Sequence, residues 1–355
     1  MSTITAATVK ELRDKTGAGM MDCKQALVET DGDMEAAIDL LRKKGLSKAA
    51  KKSDRIAAQG LIGVASKVRS GALVEVNSET DFVARNPQFQ EMVQTITSLA
   101  AGAGGDLGKL LAAAYPGSSG TVDDKIKDAI ATIGENMGLR RTAALAVKEG
   151  VVADYVHNKS GDGIGKIGVL VALESAGDSN ALEQLGRQLA MHIAAASPLV
   201  VNVEDLPQEA IERERAIYIE QAKAEPRNAG KSDEILAKAS EGRLQKEFVS
   251  QAVLLKQVFV IDGKATVAEI LKQAEKDVGA PVRIAAFVRY ALGEGIQKKE
   301  EDFAAEVAKT IGAATGAKPA EAPKKEAAKA EAPAGDDPAP APAPKKGSKS
   351  SKKKS

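Results

Sequence analysis

The residues best placed to do chemistry are Thr80-Asp81-Phe82-Val83-Ala84, which stand directly behind a strand-like run at Leu73–Asn77. An acid beside an aromatic at a strand exit admits two readings. Asp81 can cap a helix while Phe82 joins a core, or the pair can be offered together to a partner on a loop held by a rigid strand. Gly163-Ile164-Gly165-Lys166-Ile167-Gly168 has the G-x-G-x-x-G spacing. A dinucleotide site needs those glycines after a strand and opening a helix, so that the helix N-terminus faces the pyrophosphate; here they precede a strand. No G-x-x-x-x-G-K-[ST] loop exists, because Ser160 holds the first glycine position and Ile167 follows the lysine. The chain is therefore not expected to bind GTP itself. Cys23 is the single cysteine, which excludes an internal disulfide and a Cys-based zinc site. His157 and His192 are too few for a His-rich metal site. His157 has no nucleophile pattern nearby, and Asp81 has no identifiable second acid with which a hydrolase would pair it. No cofactor, metal or catalytic set is expected, and the chain is not expected to be an enzyme.

Composition narrows the partners. Among 355 residues, 50 Lys+Arg stand against 49 Asp+Glu, a net charge of +1. A dedicated nucleic-acid binder carries a clear basic excess, and with 3% aromatics and no Trp there is little for bases to stack on. An RNA- or ribosome-binding alternative would have to rest on the Lys345–Lys354 cluster, with a steep salt dependence localised there. The N-terminus lacks a signal-peptide pattern, and no run approaches a membrane span. A cytoplasmic, reducing setting is expected, with neither direct nucleic-acid nor membrane contact.

The elements that must position these residues divide the chain. Residues 1–52 read as a three-helix module: Thr5 caps a helix carrying Val9 and Leu12, a second helix runs Met20–Thr30, and a third carries Met34, Ala37, Ile38 and Leu41 until Gly45 closes it. Met20 and Met21 most simply fill the small core; the other reading puts them at a binding surface, because Met adapts to irregular partners. Lys48–Arg55 reads as a linker. Residues 53–150 and 151–290 form a core with an apparent duplication, since the strand at Gly71–Val76 with a helix at 88–101 recurs as the strand at Gly168–Leu173 with a helix at 181–196. Within the second half, residues 207–248 read as an antiparallel helical hairpin broken at Glu225–Gly230. Val258–Ile261 and Val282–Tyr290 are strand candidates, and Thr266-Val267-Ala268-Glu269 has a capping-box pattern. A last helix carrying Phe303, Val307 and Ile311 occupies 291–312. Residues 313–355, with seven of the 13 prolines, cannot form a core and are expected to be disordered. The class is α+β.

Several of these segments together resemble the bacterial elongation factor Ts family. Val9-Lys10-Glu11-Leu12-Arg13 leading into Thr16-Gly17-Ala18-Gly19-Met20-Met21-Asp22-Cys23-Lys24 is similar to its N-terminal signature, and Glu75-Val76-Asn77 followed by Thr80–Ala84 to its second. Ile133-Gly134-Glu135-Asn136 before Arg140-Arg141, Ile167–Val171, Gly293–Ile296 and Phe303–Ala308 follow in order. The stretched Asn158–Gly165 loop and the Ala/Pro/Lys tail depart from the pattern. The resemblance implies a guanine-nucleotide exchange factor that binds GDP-bound elongation factor Tu and promotes GDP release, passing through a transient complex from which GTP and then aminoacyl-tRNA are loaded. It implies that the N-terminal module is ubiquitin-associated-like and that it and the C-terminal helix dock on the nucleotide domain. It further implies that Thr80, Asp81, Phe82 and Val83 disturb the partner's magnesium site. Lys24, Ile133, Gly134, His157, Val260 and Ile261 are the other contacts it implies.

Overall fold

Thr5 and Asp33 show why the chain begins as helices: each places a side-chain oxygen on the backbone N–H three residues on, satisfying a donor that a first turn leaves open. The computed structural model describes residues 4–297; the expected last helix and the tail lie outside them. It opens with α1 (Ala6–Thr16), α2 (Met20–Glu29) and α3 (Met34–Ala50), closed around Val9, Leu12, Cys23, Ala26, Leu27 and Ala37. Two expectations are corrected here. Met20 and Met21 do not fill this core, because the inward face of α2 is taken by Cys23, Ala26 and Leu27, and Met21 is 75% exposed. Gly45 does not end α3, which continues to Ala50, so the first part of the expected linker is helical.

After the helices come β1 (Gln59–Lys67), β2 (Ser70–Ser78), α4 (Asp81–Ala84), α5 (Pro87–Ala103), α6 (Leu107–Ala112), α7 (Val122–Ile133), β3 (Met137–Ala146), β4 (Val151–His157), the short β5 (Ile164–Gly165), β6 (Ile167–Glu174) and α8 (Ser179–Ala196). The chain then forms α9 (Gln208–Ala224), α10 (Asp233–Arg243), α11 (Ser250–Ala252), α12 (Val267–Val278) and β7 (Arg283–Ala291). Two sheets result, ordered β3-β2-β1-β5 and β4-β6-β7, every pairing antiparallel. The amphipathic α5 covers the first with Phe89, Met92, Val93 and Ile96 against Leu61, Val74 and Val76. α8 covers the second with Leu182, Leu189 and Ile193 against Val151, Val169 and Val171. The remaining faces meet each other, Ile62, Val64 and Leu73 against Val152, Val156 and Leu170. The layering is helix, sheet, sheet, helix, an α+β architecture.

β2 and β6 are therefore buried on both sides, which explains their near-continuous apolar runs. The same contact accounts for the glycine motif. A Cβ at Gly168 would lie 2.6 Å from Ile62, Leu73 and Val64, and one at Gly165 would lie 2.6 Å from Val156; these glycines let two sheets approach and cradle no phosphate.

α9 and α10 form the hairpin around the Pro226–Asn228 turn, laced by Arg215–Glu241 at 3.0 Å and by the Arg243 guanidinium over Tyr218 at 4.9 Å. The strand expected at Val258–Ile261 is absent. Val258 makes one bridge to Thr266, and the chain then reverses where Asp262 accepts the N–H groups of Lys264 and Ala265. Thr266 and Glu269 form a full capping box at the start of α12.

Candidate functional site

β2 delivers the chain to Glu79 and Thr80, and α4 starts at Asp81. Val83 and Ala84 turn into the core, so Phe82, on the opposite side of this single turn, is left 76% exposed. Phe82 therefore does not join the core, as the first reading of this segment would have it. Asp81 faces solvent and pairs with Arg85 at 2.7 Å. Behind it, the Lys166 ammonium donates to the Gly60 carbonyl at 3.1 Å; burial pulls its pKa down, partly against the Asp81 carboxylate.

The backbone of this loop is fastened to the turn that follows α7. Thr80 donates both its N–H and its hydroxyl to Glu135, at 2.9 and 2.7 Å. In return the N–H of Asn136 donates to Glu79 at 2.5 Å. Thr80 sits at the N-cap position of α4 yet gives that helix no side-chain cap, although a threonine there ordinarily accepts a helix N–H. Its hydroxyl is committed to Glu135 instead. Gly134, which ends α7, accepts a hydrogen bond from the Lys52 ammonium through its carbonyl. Gly134 thus directly precedes the glutamate that fastens Thr80, and Ile133, the last residue of α7, packs partly buried against the same core cluster as Val83.

The other expected contact residues occupy separate surfaces. Lys24 lies on α2 between the exposed Met21 and Val28, at i, i+3 and i+7, so one helix face carries an apolar stripe with a cation in it. His157 ends β4, exposed, with Tyr155 Oη 3.1 Å from its Nδ1, and its carbonyl accepts the N–H of Lys166. Val260 and Ile261 project from the turn after Val258, 49% and 48% exposed, above the buried Phe259 and His192.

One charged group is wholly enclosed. Glu75 on β2 accepts from Arg141 at 2.5 Å, Arg140 at 3.1 Å, Asn77 at 3.1 Å and the N–H of Gly293 at 2.8 Å. Burial pushes its pKa up, but these hydrogen bonds and the Arg141 charge outweigh it, and the net shift is downward. Its bond from Gly293 joins the first sheet to the loop after β7. Among the described residues, no group of three or more His, Cys, Asp or Glu is placed to hold a metal ion, and no helix is long and apolar enough to cross a membrane.

The family model described as "Elongation factor TS" matches residues 79–294. The chain belongs to the elongation factor Ts family. Among its relatives, Elongation factor Ts of Rhizobium etli is 58% identical over 311 residues, covering 88% of this chain and 99% of the relative. That of Bartonella henselae is 57% identical over 305 residues, covering 86% and 98%, and that of Rhizobium meliloti is 56% identical over 306 residues, covering 86% and 98%. As a member of the elongation factor Ts family the chain is a translation elongation factor. The matched region starts at Glu79, one half of the fastening described above, and ends at Glu294, whose carbonyl accepts from Arg140 at 2.7 Å. Sequence reasoning missed Glu79, Glu75 and His192 as structural agents of these surfaces, and it used Glu135, Asn136, Arg140 and Arg141 only as marks of resemblance. Glu79, Glu135, Arg140 and Arg141 each read as an ordinary solvated charge unless the partner across the β2–β3 pairing is known, and His192 reads as one more position of an amphipathic helix.

Proposed function

We propose that the chain is the nucleotide-exchange factor for elongation factor Tu, binding its GDP form in the cytoplasm, loosening the magnesium and phosphate site and promoting GDP release and GTP loading. It acts by protein–protein binding without breaking a bond and uses no cofactor of its own. The observation that carries this reading is Phe82, a large aromatic 76% exposed on a loop whose backbone is held by Glu135. An unpaired aromatic on a fixed loop is a feature of binding anchors rather than of cores.

Burying Phe82 in a partner contributes about 1.5–3 kcal/mol. That gain can offset the displacement of elements that hold Mg²⁺, often the largest local charge at a nucleotide phosphate. Asp81 beside it would compete electrostatically for the polar network around the ion. Each ~1.4 kcal/mol moved into weakening the nucleotide complex is tenfold in affinity, and linkage requires GDP to weaken factor binding equally. The stripe of Met21, Lys24 and Val28 supports a second docking surface on a ubiquitin-associated-like N-terminal module, with His157, Val260 and Ile261 supporting contacts from the second half. Release of fluorescent GDP from elongation factor Tu, with and without the protein, tests the proposal; an unchanged release rate at saturating protein would refute it.

A further inference from the structure

The structure assigns a positioning role to Glu79 and Glu135, which lock the Thr80–Val83 loop to the strap 52–55 and so hold the N-terminal helices and Phe82 at one fixed spacing; this rests on the exchange role proposed for that loop. The β2–β3 ladder ends at the pair Ser78 and Met137. Beyond it the two strands part, one toward α4 and the other back toward α7, and the N–H groups of Thr80 and Asn136 would ordinarily go to water. Each is instead taken by a glutamate of the opposite chain: Glu135 accepts from Thr80, and Glu79 accepts from Asn136. The exchange is reciprocal and uses charged acceptors, which make the stronger hydrogen bonds. It also leaves α4 without its side-chain cap, a local loss of the kind that marks functional sites.

The same turn grips the strap on its other side. The Asn136 amide donates to the carbonyls of Arg55 at 2.6 Å and Ser53 at 3.4 Å, the Arg55 guanidinium lies 3.6 Å from Glu79, and the Lys52 ammonium meets the Gly134 carbonyl. The strap follows α3 directly, and α3 lies against α7, where Arg42 faces Asp124 at 3.7 Å. Rotating the N-terminal helices against the first sheet would therefore break the contacts that orient Phe82. With the complex formed through the other proposed docking surfaces, the cost of ordering this loop falls on its later insertion at the metal site, so its loss should be read in the maximal rate of nucleotide release more than in half-saturation.

The test uses the full chain as wild type, Glu135→Ala, Glu135→Gln and Glu79→Ala, with two measurements. GDP release from elongation factor Tu is followed against factor concentration, and amide hydrogen exchange is followed at residues 80–85 in the free protein. Glu135→Ala is expected to slow maximal release about tenfold while half-saturation moves less than about threefold. It should also speed exchange at 80–85 by about tenfold or more. Glu135→Gln keeps a carbonyl acceptor for the Thr80 N–H and should restore most of both, and Glu79→Ala should show a weaker form of the alanine effect. Unchanged amide exchange in Glu135→Ala, or a loss of release that merely follows a loss of folded protein, overturns the assignment. If Glu135→Ala does not fold, the Glu79→Ala comparison decides by the same criteria. If the wild-type protein fails to accelerate release, the exchange role falls, and the hydrogen-exchange arm still decides whether the two glutamates hold the loop.

Discussion

The backbone N–H of Val260 donates to Nδ1 of the buried His192 at 3.2 Å, while Nε2 of the same ring faces the side-chain oxygen of Gln257 at 2.8 Å. The pairing requires a neutral imidazole with its proton on Nε2. Burial pushes the His192 pKa below its ordinary 6.5, against the Gln257 bond, which raises it. The unfolded chain therefore takes up the proton first, so this contribution to stability is complete above pH 6.5 and is lost as the pH falls from there toward the folded value. The melting temperature should drop between about pH 7.5 and about pH 5.5. His192→Asn keeps an acceptor near the Val260 N–H but does not titrate, so its drop over the same range should be smaller. Equal slopes for the two proteins would remove His192 as the cause.

Glu75 answers to a lower pH window and a larger energy. Removing its carboxylate takes away the buried acid that pairs with both Arg140 and Arg141 and leaves Arg141 only the half-exposed Glu294 at 3.5 Å, and breaking a buried pair from one side costs ~3–5 kcal/mol. Glu75→Ala should show that loss in urea unfolding near neutral pH, and Glu75→Gln a smaller one. Because the folded pKa is lowered, the stabilisation is present above the ordinary carboxylate value of 4.5 and disappears as the pH falls through the folded value. Wild-type stability should decline more steeply in that range than that of Glu75→Gln.

Gly45 lies inside α3 with the position of its absent Cβ 3.0 Å from the Cβ of Ala131 on α7. Replacing glycine in a helix interior ordinarily gains ~1 kcal/mol. Gly45→Leu should instead destabilise by ~1–3 kcal/mol, because the added side chain has to push the helices apart. Faster amide exchange at the strap 52–55 would accompany it. A more stable variant would show that the contact between α3 and α7 is loose.

How much of this was legible follows from where each strand sits. β2 and β6 could be read because burial on both faces leaves them near-continuous apolar runs, interrupted in β2 by Glu75 and Asn77. β3 could not, since Arg140 and Arg141 look like surface charges until Glu75 is known to lie opposite. The apolar run Val258–Ile261 passed for a strand, and the Asp262-Gly263 turn overrode it. Gly45 passed for a helix stop, since close approach between helices leaves no mark on the local pattern. At the candidate site, Asp81 and Phe82 stood out as a pair, but their direction was undecidable: with Val83 and Ala84 equally apolar, only the fold determines which side of one helical turn faces inward. Glu79 and Glu135 are brought together only by the β2–β3 register, which adjacency in sequence does not encode.

Phe82 and Asp81 can be separated by asking what each substitution leaves intact. Phe82→Ala removes an exposed side chain, so stability should change by no more than ~0.5 kcal/mol. Had Phe82 been a core residue, the loss would be ~3–5 kcal/mol. If its insertion drives release, the same variant should slow maximal GDP release from elongation factor Tu by ~1.5–3 kcal/mol, roughly 10- to 150-fold. Complex formation should survive, because the stripe on α2 and the Val260 tip, the other docking surfaces proposed, are untouched. Asp81→Asn keeps the shape, removes the charge and gives up the exposed pair with Arg85, which at ~0.3–0.5 kcal/mol has little bearing on folding. Its effect on release therefore isolates electrostatics from packing. Both variants should be assayed with magnesium buffered and then chelated. If the loop acts on the partner's metal site, chelation removes the step it assists, and the gap between wild type and each mutant should narrow. A gap for Asp81→Asn that is the same with and without magnesium would assign the carboxylate to docking alone.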